Sequence, residues 1–443
     1  MPFSVLHLIW MHKQARRLQH HTREIERSTL SNGIRVITER MPTVRSVSAG
    51  IWVGTGSRVE SPTESGLSHF IEHMVFKGTK TRSAEVIARA ADSVGGGLDA
   101  FTSKELVSFN VKVLDEHVPV AFDVIADMVK NPLFAPEDIQ KEKGVVLEEL
   151  KMEQDNPEAL IHEVFTGNFW KNDALGRPIL GTKQTIRSFN RDSVVDFHRR
   201  QYTPENLLIT AAGNLKHKDM LRLVEDRLGD LPRKPYKRVK QNPQPHSPLI
   251  FRNKSQLEQV HVYMGAPGIS AVHEDRYTCY VMNTILGGGM SSRLFQNIRE
   301  KQGLAYSVYS ELSMYRDAGC MFVYAGTGLK TAEKVIRSIL NEFRDLKENL
   351  VPAEELRRAK DHMKGSMVLG LESTSNRMAN LARQELYFGK FFSMDELLAR
   401  VEAVTAEDVR KLAVRFFDPQ RVAVAMLGDL NGFKMSRKDL VAC

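Results

Sequence analysis

What most constrains the fold of this 443-residue chain is an internal duplication. Residues 192–215, DSVVDFHRRQYTPENLLITAAGNL, read as an amphipathic helix, a turn at Pro204, a strand and a glycine. Residues 407–430, EDVRKLAVRFFDPQRVAVAMLGDL, repeat that plan, so that Pro204, Gly213 and Leu215 match Pro419, Gly428 and Leu430 at an offset of 215. Upstream, Pro136 matches Pro352 at 216, and Gly54 and Gly78 match Gly265 and Gly289 at 211. Landmarks recurring at nearly one offset imply two copies of a unit of about 200 residues.

The length alone predicts more than one hydrophobic core. A Pro- and cation-rich stretch without apolar periodicity, LPRKPYKRVKQNPQPHSPL (231–249), has linker composition. The expected organisation is an extension over 1–27, one domain over 28–230, the linker, and a homologous domain over 250–435. Within each unit strands come in adjacent pairs between helices: Ser46–Val53 and Val107–Val113 read as strands, 83–93 and 118–130 as helices. Such runs predict an α+β fold, two duplicated sandwiches of helices on a mostly antiparallel sheet.

Composition narrows the function class. Hydrophobic residues are 42% and charged residues 26%, and no apolar run approaches the roughly 18–20 residues of a membrane span. The net charge of +8 is not gathered into a basic stripe interleaved with aromatics, which argues against nucleic acid as a partner. Cys279, Cys320 and Cys443 lie far apart with no CxxC spacing, so buried, inert thiols are expected rather than a disulfide framework or a thiolate metal site. The N-terminal Phe3–Trp10 run is a poor secretory signal. A bacterial cytoplasmic location is expected, with an organellar matrix as the alternative.

The chemistry-bearing motif is His69-Phe-Ile-Glu72-His73. On a helix, positions i and i+4 share a face, so two imidazoles can reach one metal and leave room for a third ligand and water. Glu72 can stand beside that metal without ligating it, where a carboxylate can accept a proton from water. The third ligand must come from another element. The polar helix expected over 137–155 carries Glu142 and Glu149, seven apart and on one face. In the second unit Tyr280, Asn283, Thr284 and Gly365 stand at the places of His69, Glu72, His73 and Glu149, so the second copy keeps the architecture without the chemistry.

At these residues the chain resembles the pitrilysin/insulinase-like zinc metallopeptidases, and among them the β-subunit of the mitochondrial processing peptidase and its bacterial relatives. GLSHFIEHMVFKGT (66–79), GRPILGT (176–182), QYTPENLLITAAGNL (201–215) and LGGGMSSRLFQNIREKQGLAYSVYS (286–310) carry the likeness, which spans about residues 28–435. The resemblance implies one zinc per chain on His69, His73 and Glu149, with Glu72 as general base and Glu142 supporting from behind. It implies that Arg299 and Tyr306, in the half without zinc, hold the substrate backbone and polarise the scissile carbonyl. It also implies that substrate adds as a strand along Gly97–Ser103, against Asp99, Ala100 and Phe101. Here Asp99 replaces the family's usual Asn, and an ionised carboxylate cannot donate as an amide does. The function so implied is a zinc endopeptidase of extended peptides or presequences, of HxxEH type, working as a homodimer that closes a clamshell chamber; a heterodimer with a zinc-free homologue is the second arrangement. The alternative is a non-catalytic or core-protein-like subunit of the same fold.

Overall fold

The computed structural model describes residues 24–93, 95–236 and 241–441. The first half is a six-stranded sheet of β1 (Glu24–Thr29), β2 (Arg35–Arg40), β3 (Ser46–Val53), β4 (Gly97–Thr102), β5 (Val107–Leu114) and β6 (Leu207–Gly213), ordered β1-β2-β6-β3-β5-β4. The second half is a five-stranded sheet of β7 (Leu249–Asn253), β8 (Val260–Pro267), β9 (Ala305–Met314), β10 (Gly319–Thr327) and β11 (Ala423–Gly428), ordered β7-β11-β8-β10-β9. Each sheet holds one parallel pair, β2 with β6 and β7 with β11, and every other pairing is antiparallel. The order of β2-β6-β3-β5-β4 therefore recurs as β7-β11-β8-β10-β9, as duplication requires, with β1 added at the outer edge of the first sheet.

Helices cover one face of each sheet. Over the first lie α1 (Leu67–Val75), α2 (Ala84–Ser93), α3 (Val118–Lys130), α4 (Pro136–Asp155), α5 (Pro157–Phe169), α6 (Lys183–Ser188), α7 (Arg191–Gln201) and α8 (His217–Leu228), with α5 an exception treated below. Over the second lie α9 (Arg276–Gly287), α10 (Leu329–Glu348), α11 (Ala353–Gly370), α12 (Thr374–Phe388), α13 (Met394–Glu402), α14 (Ala406–Phe416) and α15 (Arg437–Val441), with α12 the matching exception. Strands β6 and β11 are buried on both faces and read as continuous apolar or small runs, LLITAAG and AVAMLG.

The second face of each sheet is covered by a helix from the other half. Helix α5 lays Ile161, Phe165 and Phe169 on Tyr263, Phe322 and Ala425 of the second sheet, and α12 lays Met378, Leu381 and Ala382 on Ile37, Trp52 and Leu208 of the first. The exchange is locked by ion pairs: buried Glu385 of α12 receives Arg27 at 2.7 Å and Arg35 at 3.1 Å, and Arg377 meets Glu39. The halves thus share core and do not behave as beads on a linker.

The ladders refine the duplication. Trp52 pairs with Leu208 in the first sheet and Gly265 with Ala423 in the second, which places Gly265 at the position of Trp52, two residues from the match with Gly54 expected from sequence. The reason is packing: a Cβ on Gly265 would lie 2.3 Å from Phe165 of the crossing helix, whereas on the other sheet the crossing helix offers smaller side chains to Trp52. In the helices the offset of 211 holds, because residues 67–75 and 278–286 share their burial phase apart from the pair His69/Tyr280. On α11 the inward residues Leu356, Ala359, Met363 and Met367 repeat the spacing of Ile139, Glu142, Val146 and Leu150 on α4. That phase puts Ser366 rather than Gly365 at the place of Glu149.

The folded part exceeds the expected domain limits at both ends. Residues 1–23 lie outside the described residues, but β1 starts at Glu24, inside the expected extension, and pairs antiparallel with β2. Beyond the expected limit at 435, α15 buries Leu440 in the second core. Linker residues Tyr236 and Gln241 bond to Thr55 and Arg58, so the linker runs along the first half. Among the described residues no helix is long and apolar enough to cross a membrane. Cys279 and Cys320 are buried free thiols, and Cys443 lies outside the described residues.

Candidate metal centre

Helix α1 carries the HxxEH residues, and its start is tightly specified. Gly66 caps it at φ +95°, where a Cβ would meet the Leu180 carbonyl oxygen at 2.5 Å, so only glycine fits. Buried Glu60 accepts from the backbone N–H groups of Gly66 (2.8 Å) and Ser68 (2.7 Å), satisfying two donors that a helix start leaves open. Inward-facing Leu67, Phe70, Ile71 and Met74 fix the helix on the core, which turns His69, Glu72 and His73 toward α4 and the edge strand β4.

Two imidazoles and one carboxylate converge there. Glu149 Oε2 lies 3.7 Å from His69 Nε2 and 3.5 Å from His73 Nε2, and all three donor atoms fall within 4.8 Å of one another. Ligands at zinc distances in a tetrahedral arrangement stand about 3.3 Å apart, so this triangle is the right size for one ion. Glu149 Oε2 is buried with no hydrogen-bond partner among the described residues, an acceptor that lacks only a cation. Glu142 takes His73 Nδ1 at 2.8 Å, which makes that nitrogen the N–H donor and leaves the Nε2 lone pair facing Glu149. Lys77 pairs with the other Glu142 oxygen at 2.7 Å.

The surroundings bias each of these groups differently. Burial, helped by the charge of His73, drives His69 down to about 4, so its imidazole is neutral and able to ligate. Burial works against charge on His73, but the Glu142 hydrogen bond and the nearby carboxylates outweigh it and raise the group. Burial would also raise Glu142; its bonds to His73 and Lys77 prevail and hold it below the usual carboxylate range. Glu72 is pushed up by burial, with Glu149 and Asp99 adding to the effect, while the Thr102 hydroxyl and His73 pull it partly back. Glu72 stands beside the three converging donors and is not one of them.

Among the described residues strand β4 is an edge of the first sheet, bonded only to β5. Leu98 and Ala100 face the helix layer and Thr102 reaches Glu72, whereas Asp99 and Phe101 face the other way, Phe101 edge-on to Trp52 at 5.9 Å. Asp99 accepts from the Ala100 N–H at 2.9 Å, so it acts as an acceptor inside its own strand. Arg299 and Tyr306 are brought to each other instead of to the histidines. The Arg299 guanidinium, on a π-helical turn over Phe295–Glu300, lies 4.7 Å from the Tyr306 ring, which is 77% exposed. Among the described residues no contact joins either to His69, Glu72, His73 or Glu149. Tyr280, Asn283 and Thr284 sit on α9 as expected, where Asn283 accepts from Ser310 at 2.8 Å. The sequence argument missed Thr102, Lys77 and Glu60. Thr102 was within reach of it, lying inside the segment Gly97–Ser103 already singled out.

Residues 35–183 match the family model described as insulinase (peptidase family M16), and residues 188–363 match that of the peptidase M16 inactive domain. The uncharacterized zinc protease YmxG of Bacillus subtilis is 43% identical over 393 residues, covering 89% of this chain and 96% of its own length. The chain belongs to the insulinase family, M16. An uncharacterized zinc protease of Streptomyces coelicolor is 39% identical over 435 residues, covering 95% of this chain and 93% of its own. Among solved structures, a protease from Helicobacter pylori superposes with a TM-score of 0.86 at 20% identity, covering 91% of this chain and 99% of that one. A peptidase M16 inactive domain from Pseudomonas fluorescens does so with 0.86 at 18%, covering 91% and 98%. Those two likenesses speak for the M16 fold; the HxxEH motif falls within the first family model, and the second begins inside the first half, at residue 188, and runs to 363 in the second.

Proposed function

We propose that this M16 protein is a zinc-dependent endopeptidase acting on extended peptides. The observation that supports this most is the convergence of His69, His73 and Glu149 with Glu72 beside them and outside the ligand triangle. A zinc ion on those three residues would supply Lewis acidity toward water and the scissile carbonyl. Glu72 takes the proton of the attacking water and passes it to the leaving amine, a role favoured by a carboxylate whose basicity burial has increased. Thr102 occupies one Glu72 oxygen and leaves the other for that proton. Glu142 fixes the tautomer and orientation of His73.

In this reading the peptide pairs along the open edge of β4, displacing the contact between Asp99 and the Ala100 amide, so that main-chain hydrogen bonds select extended conformation over sequence. Arg299 and Tyr306 serve as donors to the substrate backbone and the developing oxyanion. Lying in the other half and turned to each other, they act on the site of a second copy, and a two-fold homodimer lets each chain complete its partner. The experiment is zinc quantification on purified protein together with cleavage of a fluorogenic peptide. One zinc per chain and cleavage lost to a chelator are expected; active protein without stoichiometric metal would defeat the reading.

A further inference from the structure

On the face of β4 away from the histidines, a cavity of about 590 Å³ lies where the two halves meet. Trp52 and Phe101 of the first half form one wall, and Tyr280, Leu312, Tyr387 and Phe388 of the second form the other. The apolar and aromatic surround is interrupted by three donors from α12: Arg383, Asn380, and Asn376, whose amide already donates to the Gly370 carbonyl at 2.7 Å. Arg383 is exposed and has no ion pair among the described residues, and Asn380 Nδ2 is buried without an acceptor. The carboxylate nearest this wall, Glu105, is already taken by the Tyr387 hydroxyl at 2.6 Å and by Arg58 at 2.7 Å. Burial raises the phenols of Tyr280 and Tyr387, and the charge of Arg383 pulls both partly back.

We propose that this cavity is a peptide-binding subsite for a carboxylate presented on an apolar residue, the carboxylate meeting Arg383 and Asn380 and the apolar part lying between Phe101 and Tyr280. Charge complementarity selects the occupant: an exposed cation at the rim and a buried amide donor without an acceptor suit an anionic acceptor with an apolar body. Position supplies the reason it concerns substrate. Residues directly opposite in a sheet share a face, so in a strand added along β4 the residue opposite Phe101 points into this cavity while its neighbours point toward the histidines. The link to substrate therefore rests on the strand-addition reading above. The carboxylate can come from the C-terminal residue of a peptide or from an internal Asp or Glu beside an apolar residue.

The test uses the full zinc-loaded chain and two matched pairs of ligands too short to pair along β4. N-acetyl-phenylalanine and its amide present or lack a terminal carboxylate; acetyl-Phe-Glu-amide and acetyl-Phe-Gln-amide present or lack a side-chain carboxylate. Binding is measured by calorimetry or ligand-observed NMR. The carboxylate member of one pair should bind roughly tenfold tighter than its neutral twin, the scale of a hydrogen bond to a charged group. Whichever pair shows the preference identifies the source. Arg383→Gln should abolish the preference and Arg383→Lys retain part of it, with Asn380→Leu as a second variant that leaves the cation in place and weakens it. Equal affinities within both pairs, or a preference that survives Arg383→Gln, would overturn the proposal. Failure of the chain to cleave long peptides would count against strand addition and the peptidase reading, and would leave the result with these short ligands standing.

Discussion

The hydroxyl of Thr102, at the end of the open edge strand, donates to the carboxylate of Glu72 on the histidine helix. The surface proposed to receive the peptide and the group proposed to take its proton are therefore one mechanical unit. Thr102→Val keeps the shape of the side chain and removes the donor, so kcat should fall roughly tenfold with little change in KM, the worth of one hydrogen bond to a charged group. Thr102→Ser should restore most of it. Steady-state kinetics of the two variants on one peptide decide the point, and equal losses in both would mean that the hydroxyl does not matter.

Glu142 is buried and holds His73 from behind while Lys77 balances its charge. Glu142→Gln should leave the fold intact and weaken zinc binding by about 10–100-fold, as loss of a carboxylate behind a ligating histidine does. Competition with a chelator of known affinity measures this. Unchanged affinity would remove Glu142 from the metal site.

Glu163 on α5 is half-buried; burial pushes its carboxyl up to about 7, Lys104 attracts without cancelling, and Glu153 adds repulsion. A carboxyl raised in the folded state contributes stability that is complete below its unfolded value near 4.5 and is lost as pH rises through about 7. Glu163→Gln imitates the protonated form at every pH. Wild type and variant should melt together near pH 4, and wild type should fall behind by about 1–3 °C or more by pH 8, the scale of one or a few kcal/mol in a large protein. Thermal melts across about pH 4–8 test it, and parallel curves would contradict it.

Assembly is open to complementation. Glu72→Gln and Tyr306→Phe chains, each inactive as a homodimer, should regain partial activity when mixed and exchanged, because one of the two sites then carries neither change. No recovery despite proven exchange would place both half-sites within one chain. A monomer that is fully active would remove the dimer altogether.

How far the sequence went follows from which interactions are local. The HxxEH helix, the polar helix of Glu142 and Glu149, and strand 46–53 were legible because periodicity and motif spacing are properties of short segments, whereas the edge strand within 97–103 was implied by the family resemblance alone. Exchange of α5 and α12 between the halves was not, because each pairs its apolar face with a sheet 80 or more residues away along the chain. The glycine match of 54 with 265 failed for the same reason: Gly265 answers to Phe165 across the interface and not to its own strand. The contact of Thr102 with Glu72 spans thirty positions and two elements, with no spacing rule to announce it.

The most direct test of the account separates holding the metal from using it. Glu149→Gln should lose zinc and peptide cleavage together. Glu72→Gln should retain one zinc per chain and still bind peptide, yet lose about 10²–10⁴-fold in turnover, the range of general-base catalysis. Zinc content and single-turnover cleavage measured on the same preparations give both readings at once. A Glu72→Gln protein that cleaves at the wild-type rate, or a Glu149→Gln protein that keeps its zinc, would contradict the site described here.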